Sequence, residues 1–176
     1  MKKSVLLLFF AGCVATGIFG IGRKIPMNRV NDLGQREGYW RDSVGGGFVY
    51  DLYYKGGKKD GLYKRFYRNK LFLFGEYTAD NMSGTWYMFG DEGELRCTID
   101  SIELNKDSIY TGYCRIFCKY KCYCADYYPS GAVKSEGYMV CDEEFEIEIW
   151  EIGEWKYYDE SGNLIKTKDY GDRRTP

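Results

Sequence analysis

Four of the chain's seven cysteines crowd into the stretch YCRIFCKYKCYC, as Cys114, Cys118, Cys122 and Cys124. Thiols this close in sequence suggest a zinc site, a redox pair or disulfides. Geometry limits all three if the segment is a single strand. The four residues share parity and face one side, but at about 3.3 Å per residue those four apart lie roughly 13 Å from each other. One zinc ion with thiolates at about 2.3 Å cannot span that gap, and a disulfide needs Cα atoms within about 7 Å. Partners must therefore come from neighbouring strands, or the chain must turn at residues 119–121 and bring Cys118 to Cys122. With Cys97 and Cys141 the later cysteines number six, an even set that fits disulfides in an exported domain. Free buried thiols are the alternative. The spacing is not a paired C-x-x-C pattern, so no metal is assigned.

A second chemical candidate is the acidic run CDEEFEIEIWEIGE at residues 141–154. Such carboxylates could hold calcium or act as a glycosidase-like acid pair. The pattern argues for something simpler. Glu144, Glu146 and Glu148 alternate with Phe145, Ile147 and Ile149, as in a strand with one wet face, and a row of Glu discourages edge-to-edge aggregation. YYKGGKKDG, residues 53–61, lacks the spacing of a phosphate-binding loop and reads as a hairpin turn. Histidine is absent from the whole chain, which excludes His-based triads and His metal ligands. We expect no catalytic residues and no cofactor. The net charge of −1 gives no reason to expect nucleic acid.

The N-terminal segment MKKSVLLLFFAGCVATGIFGIGRK carries Lys2 and Lys3, runs apolar from Val5 and has no acid through Gly22. Its FFAGC resembles the lipobox of bacterial lipoproteins, which implies that Cys13 is lipidated and becomes the mature N-terminus. Ser4 to Gly22 is 19 residues, close to the roughly 20 a membrane-spanning helix requires. An uncleaved anchor helix therefore competes, as does an ordinary cleaved signal. Residues 1–22 are read as signal peptide or membrane anchor and 23–176 as the folded domain. The expected location is the cell envelope, attached to the membrane through the N-terminus.

These segments must be positioned by the rest of the chain, which repeats itself. GEWKYYDESGNLIKTKDY, from Gly153, places aromatics at Trp155 and Tyr158, then Gly162 and Leu164. The same offsets from Gly84 give Trp86, Phe89, Gly93 and Leu95; from Gly61, Tyr63, Phe66, Lys70 and Phe72; from Gly38, Trp40, Ser43, Gly47 and Val49. A weaker unit starting at Cys122 gives Cys124, Tyr127, Gly131 and Val133. Each phrase reads as an aromatic strand, a polar turn whose glycine supplies a positive φ, and a returning strand. One hairpin is marginal in water, so neighbours must stack and bury the aromatic faces. The prediction is an all-β, elongated antiparallel meander of repeated hairpins after an apolar N-terminal signal or anchor helix.

The phrases DGLYKRFYRNKLFLFGEY, GTWYMFGDEGELRC, YYPSGAVKSEGY and GEWKYYDESGNLIKTKDY resemble the bacterial variant of the MORN repeat over roughly residues 38–170. That resemblance implies a non-catalytic protein-binding or scaffold module in the envelope. It also implies a second reading, a cytosolic antitoxin-like protein that neutralises a partner protein. Trp40, Trp86, Trp155, Tyr63 and Phe89 are expected to stack as core. The functional alternative is an exposed aromatic row holding a ligand or partner, with Tyr63, Tyr67, Tyr157 and Tyr158 as its candidates.

Overall fold

The computed structural model describes residues 26–106, 118–142 and 149–171. They form eleven strands: β1 (Arg29–Val30), β2 (Arg36–Ser43), β3 (Phe48–Lys55), β4 (Lys58–Tyr67), β5 (Lys70–Thr78), β6 (Asn81–Phe89), β7 (Leu95–Leu104), β8 (Tyr120–Tyr127), β9 (Val133–Cys141), β10 (Ile149–Tyr158) and β11 (Leu164–Asp169). All belong to one sheet in sequence order, and every neighbouring pair is antiparallel. The predicted meander is the observed fold. No helix among the described residues is long and apolar enough to cross a membrane. The predicted N-terminal helix, Cys13, Cys114 and the alternating run 143–148 lie outside the described residues.

The five sequence units are the hairpins β2–β3, β4–β5, β6–β7, β8–β9 and β10–β11. Their second glycines, Gly47, Gly93, Gly131 and Gly162, all have φ between 83° and 87°, the left-handed region that glycine enters without a Cβ penalty. Where Lys70 replaces that glycine, Arg68 and Asn69 take positive φ and make a two-residue turn instead. The terminal turn is held by Asp159, whose Oδ1 accepts from the backbone N–H of Ser161 at 3.0 Å and Asn163 at 2.8 Å. Those bonds favour the ionised carboxyl and keep Asp159 below the usual carboxylate range, the Asn163 side chain contributing most. Asn31 makes the same pair of bonds to Leu33 and Gln35. That turn adds the short β1, which the repeat reading did not anticipate.

The glycines that open each unit have a different task. Gly61, Gly84 and Gly153 have positive φ and lie at register irregularities against the preceding strand. A bulge adds a residue to one strand and bends it, so repeated bulges curl the sheet. The weak unit at Cys122 lacks an opening glycine; its irregularity falls on β7, between Asp100 and Glu103, with Ser101 at φ 51°.

Curling lets a single sheet bury its own inner face. Tyr63 and Trp86 are 0% exposed although no second layer covers them among the described residues. Strands two apart reach each other: the Tyr120 hydroxyl on β8 accepts from the Met82 N–H on β6 at 3.1 Å. A row across the inner face runs through Leu52, Tyr63, Gly75, Trp86, Ile99, Cys124, Gly137 and Trp155. Trp86 lies over Gly75 and Trp155 over Gly137: a Cβ at Gly75 would come 2.1 Å from Trp86 Cδ2, and one at Gly137 2.5 Å from Trp155 Cγ. Glycine there is the seat of the neighbouring indole.

Candidate functional site

The inner face is not filled evenly. Beneath β4–β6, rings pack directly: Trp86 lies 5.3 Å from both Tyr63 and Tyr77 between centroids. From β7 to β9 the inward positions are mostly thiols and aliphatic or thioether side chains, namely Cys97, Ile99, Cys122, Cys124, Met139 and Cys141. These are smaller than indoles and phenols and leave a trough of about 390 Å³, walled by Trp155 and Tyr157 and floored by Cys97, Cys124 and Asp126.

Strand pairing builds that floor. Cys97 on β7 sits opposite Asp126 on β8, and Asp126 sits opposite Ser135 on β9. Cys124, two residues before Asp126, faces the same side by strand parity. The Cys97 and Cys124 sulfurs lie 3.1 Å apart, and Cys124 Sγ is 4.0 Å from Asp126 Oδ1. Asp126 Oδ2 accepts from the buried Ser135 hydroxyl at 2.9 Å, which turns the other carboxylate oxygen toward the thiols. The three ligand atoms lie within 4.8 Å of one another. The neighbouring Cys97 sulfur, and then burial, push the Cys124 thiol well above its ordinary range.

A second pair lies one row along. Cys122 and Cys141 place their sulfurs 3.4 Å apart, both 0% exposed. The Cys141 sulfur, then burial, push the Cys122 thiol upward. All five described cysteines are thiols. Cys118 joins neither pair: it packs with Val140 and Ile152 in a separate cluster. Of the two routes left open, partners from neighbouring strands or a turn at 119–121, the structure takes the first, because Tyr120 and Lys121 already belong to β8. That strand carries Cys122 and Cys124 into the main core and leaves Cys118 before its start. The remedy that brings thiols together is antiparallel pairing between strands.

The four tyrosines do not make one surface. Tyr63 is wholly buried, because the sheet curls over it and Trp86 stacks on it. Tyr67 is half-buried against Phe48, 4.8 Å between ring centroids. Tyr157 and Tyr158 are consecutive strand residues and point to opposite faces. Tyr157 shares a hydrogen bond with the Tyr170 hydroxyl at 2.7 Å on the inner side, and Tyr158 donates to Glu136 Oε1 at 2.6 Å on the outer side. Trp40 and Phe89, read as core, are half-buried at the hairpin flanks. Sequence reasoning missed Asp126 and Ser135 altogether; their only signal was inward parity with Cys124 across a hairpin centred on Gly131.

The two edges of the sheet also differ. β1 has two residues, whereas all six residues of β11 are exposed, with Leu164 at 55% and Ile165 at 63%. The Tyr170 N–H is donated inward to Gly153 O at 2.9 Å. Alternation along an antiparallel strand then turns the N–H and C=O of Thr167 outward. Lys166 and Lys168 flank it, 4.5 Å from the Tyr157 centroid and 3.9 Å from that of Tyr170.

Compared with known proteins, the chain matches no family, no curated protein and no solved structure.

Proposed function

We propose that this is a non-catalytic binding module of the cell envelope, held to the membrane by its N-terminus, that captures a partner protein by strand addition to β11. The observation that carries the reading is the open edge: a six-residue strand, exposed throughout, at the end of an eleven-strand sheet. Such an edge offers a row of unpaired backbone donors and acceptors, and an extended partner segment can continue the ladder. Leu164 and Ile165 supply apolar contact, and Lys166 and Lys168 favour an acidic segment. The absence of histidine and the hairpin repeat without catalytic motif support a module rather than an enzyme. The apolar start at Val5–Phe10 and the lipobox-like FFAGC support membrane attachment over the cytosolic, antitoxin-like alternative.

The test is a proline at Thr167, whose outward N–H is not used among the described residues and where an edge strand tolerates proline. A photo-crosslinker at Ile165 in native cells is expected to trap one discrete protein, and Thr167→Pro is expected to abolish the adduct while the far-UV spectrum stays that of the parent. Trapping that survives Thr167→Pro would overturn strand addition. The intact mass of the membrane-derived chain checks the attachment: an acylated chain beginning at Cys13 agrees, and a soluble chain beginning at Met1 does not.

A further inference from the structure

We infer that Cys97, Cys124 and Asp126 form a zinc-binding site that opens into the inner trough. Zinc takes thiolate and carboxylate ligands in tetrahedral geometry, and a site with three protein ligands keeps its fourth position for an exchangeable molecule. Here two sulfurs and one carboxylate oxygen converge within 4.8 Å, and all three side chains line the trough. The fourth position therefore faces a space of about 390 Å³ rather than packed side chains.

The sulfur geometry suits a shared ion better than a bond. Cys97 lies opposite Asp126, so its approach to Cys124 is diagonal across the ladder. Diagonal neighbours have Cα atoms about 7–8 Å apart, at or beyond the limit of about 7 Å for a disulfide without backbone movement. Two thiolates on one zinc, each at about 2.3 Å, stand about 3.8 Å apart. The observed 3.1 Å opens to that value by small side-chain rotations.

The support around the ligands is that of a metal site. A ligating carboxylate is normally oriented by a second hydrogen bond. Ser135, itself buried, makes that bond to Asp126 Oδ2 and leaves Oδ1 for the ion. Among the described residues the neighbouring pair Cys122 and Cys141 forms no such group with a carboxylate, and both are wholly buried, which makes the pair an internal control. Binding is balanced as an exchange: Zn²⁺ adds to both sulfurs and to the Asp126 carboxylate, and the two thiol protons leave to solvent. Affinity therefore falls as pH falls.

The full-length chain, reduced and freed of metal, is titrated with zinc sulfate against a chromophoric chelator and then with cobalt(II), whose thiolate charge-transfer band reports sulfur ligation. One zinc per chain is expected, with the cobalt band lost in Cys97→Ala and Cys124→Ala and kept in Cys122→Ala. Ser135→Ala, which leaves every ligand in place, is expected to weaken zinc about 10–100-fold. Circular dichroism of each variant separates lost binding from lost folding. Absence of stoichiometric zinc in the reduced parent would overturn the site. So would a cobalt band that survives Cys97→Ala, or a native chain whose Cys97 and Cys124 are recovered only as a disulfide.

Discussion

The two halves of the inner face solve the same problem with different atoms. Under β4–β6 the space is filled by Tyr63, Tyr77 and Trp86, whose rings meet at 5.3–5.8 Å in tilted and edge-on contacts. Under β7–β9 it is filled mostly by Cys97, Ile99, Cys122, Cys124, Met139 and Cys141, with the buried ring of Tyr120 at the β8 end nearest Met82. The backbone does not register the change: both halves are antiparallel hairpins curled by bulges, although the turns of β4–β6 are made by Arg68–Asn69 and Ala79–Asp80 and that of β8–β9 by Gly131. Hairpin shape and core content are therefore separable. Rings give area and rigidity; thiols leave room and can ionise onto a metal. The trough opens where the second filling replaces the first.

The largest effect that would test this contrast is the loss of one indole from each half. Trp86→Ala is expected to cost about 3–5 kcal/mol by equilibrium urea unfolding. Trp155→Ala should cost less, since among the described residues Trp155 has a single ring neighbour, Tyr170 at 6.4 Å, and borders the trough. Equal losses would show that the sulfur half is as tightly packed as the aromatic half.

A smaller effect tests what the halves share. Gly75→Ala and Gly137→Ala should each destabilise by about 1–3 kcal/mol through overpacking, because both glycines seat an indole. A neutral outcome at Gly137 alone would mean that the trough absorbs a displaced Trp155, and the contrast would sharpen. Neutral outcomes at both would remove the indole seat as a shared device.

The smallest effect lies on the outer face. Tyr39 on β2, toward the aromatic end of the sheet, and Tyr123 on β8 in the sulfur half are both pushed up to about 12, by burial first and then by the carboxylates of Asp51 and Glu136. Their folded values exceed the ordinary 10.0, so the stability they contribute is full below pH about 10 and is lost as pH rises through about 12. An ultraviolet titration should show these two phenols ionising late, together with Tyr157, raised by burial first, and Tyr158, raised by its hydrogen bond to Glu136. Asp51→Asn should bring Tyr39 earlier, and Glu136→Gln should bring both Tyr123 and Tyr158 earlier, since they share that carboxylate; a change at only one site would make the outer faces unlike as well.

The hairpins were legible because their signals are local. Gly47, Gly93, Gly131 and Gly162 recur at one offset, and the left-handed conformation they adopt is one that other residues enter at a cost. The short β1 escaped notice because its turn at Asn31–Gln35 has no repeat phrase before it. The tyrosine surface failed for a different reason. Tyr63 stands two places after its glycine, as Trp155 does, whereas Tyr158 stands five after, so strand parity sends them to opposite faces, and which face is covered depends on the direction in which the sheet curls.

By itself, the sequence determined an all-β antiparallel meander, the position of its turns and the absence of histidine chemistry. Each of these rests on residues near in the chain or on composition. Only the tertiary structure decided which face is inside and that Cys97 meets Cys124. It also brought Asp126 and Ser135 to the same point and left β11 as the long open edge. Those outcomes depend on register between strands up to 27 residues apart in the Cys97–Cys124 pair. Register is set by the sum of bulges and turns along the sheet, and no single stretch of residues contains that sum.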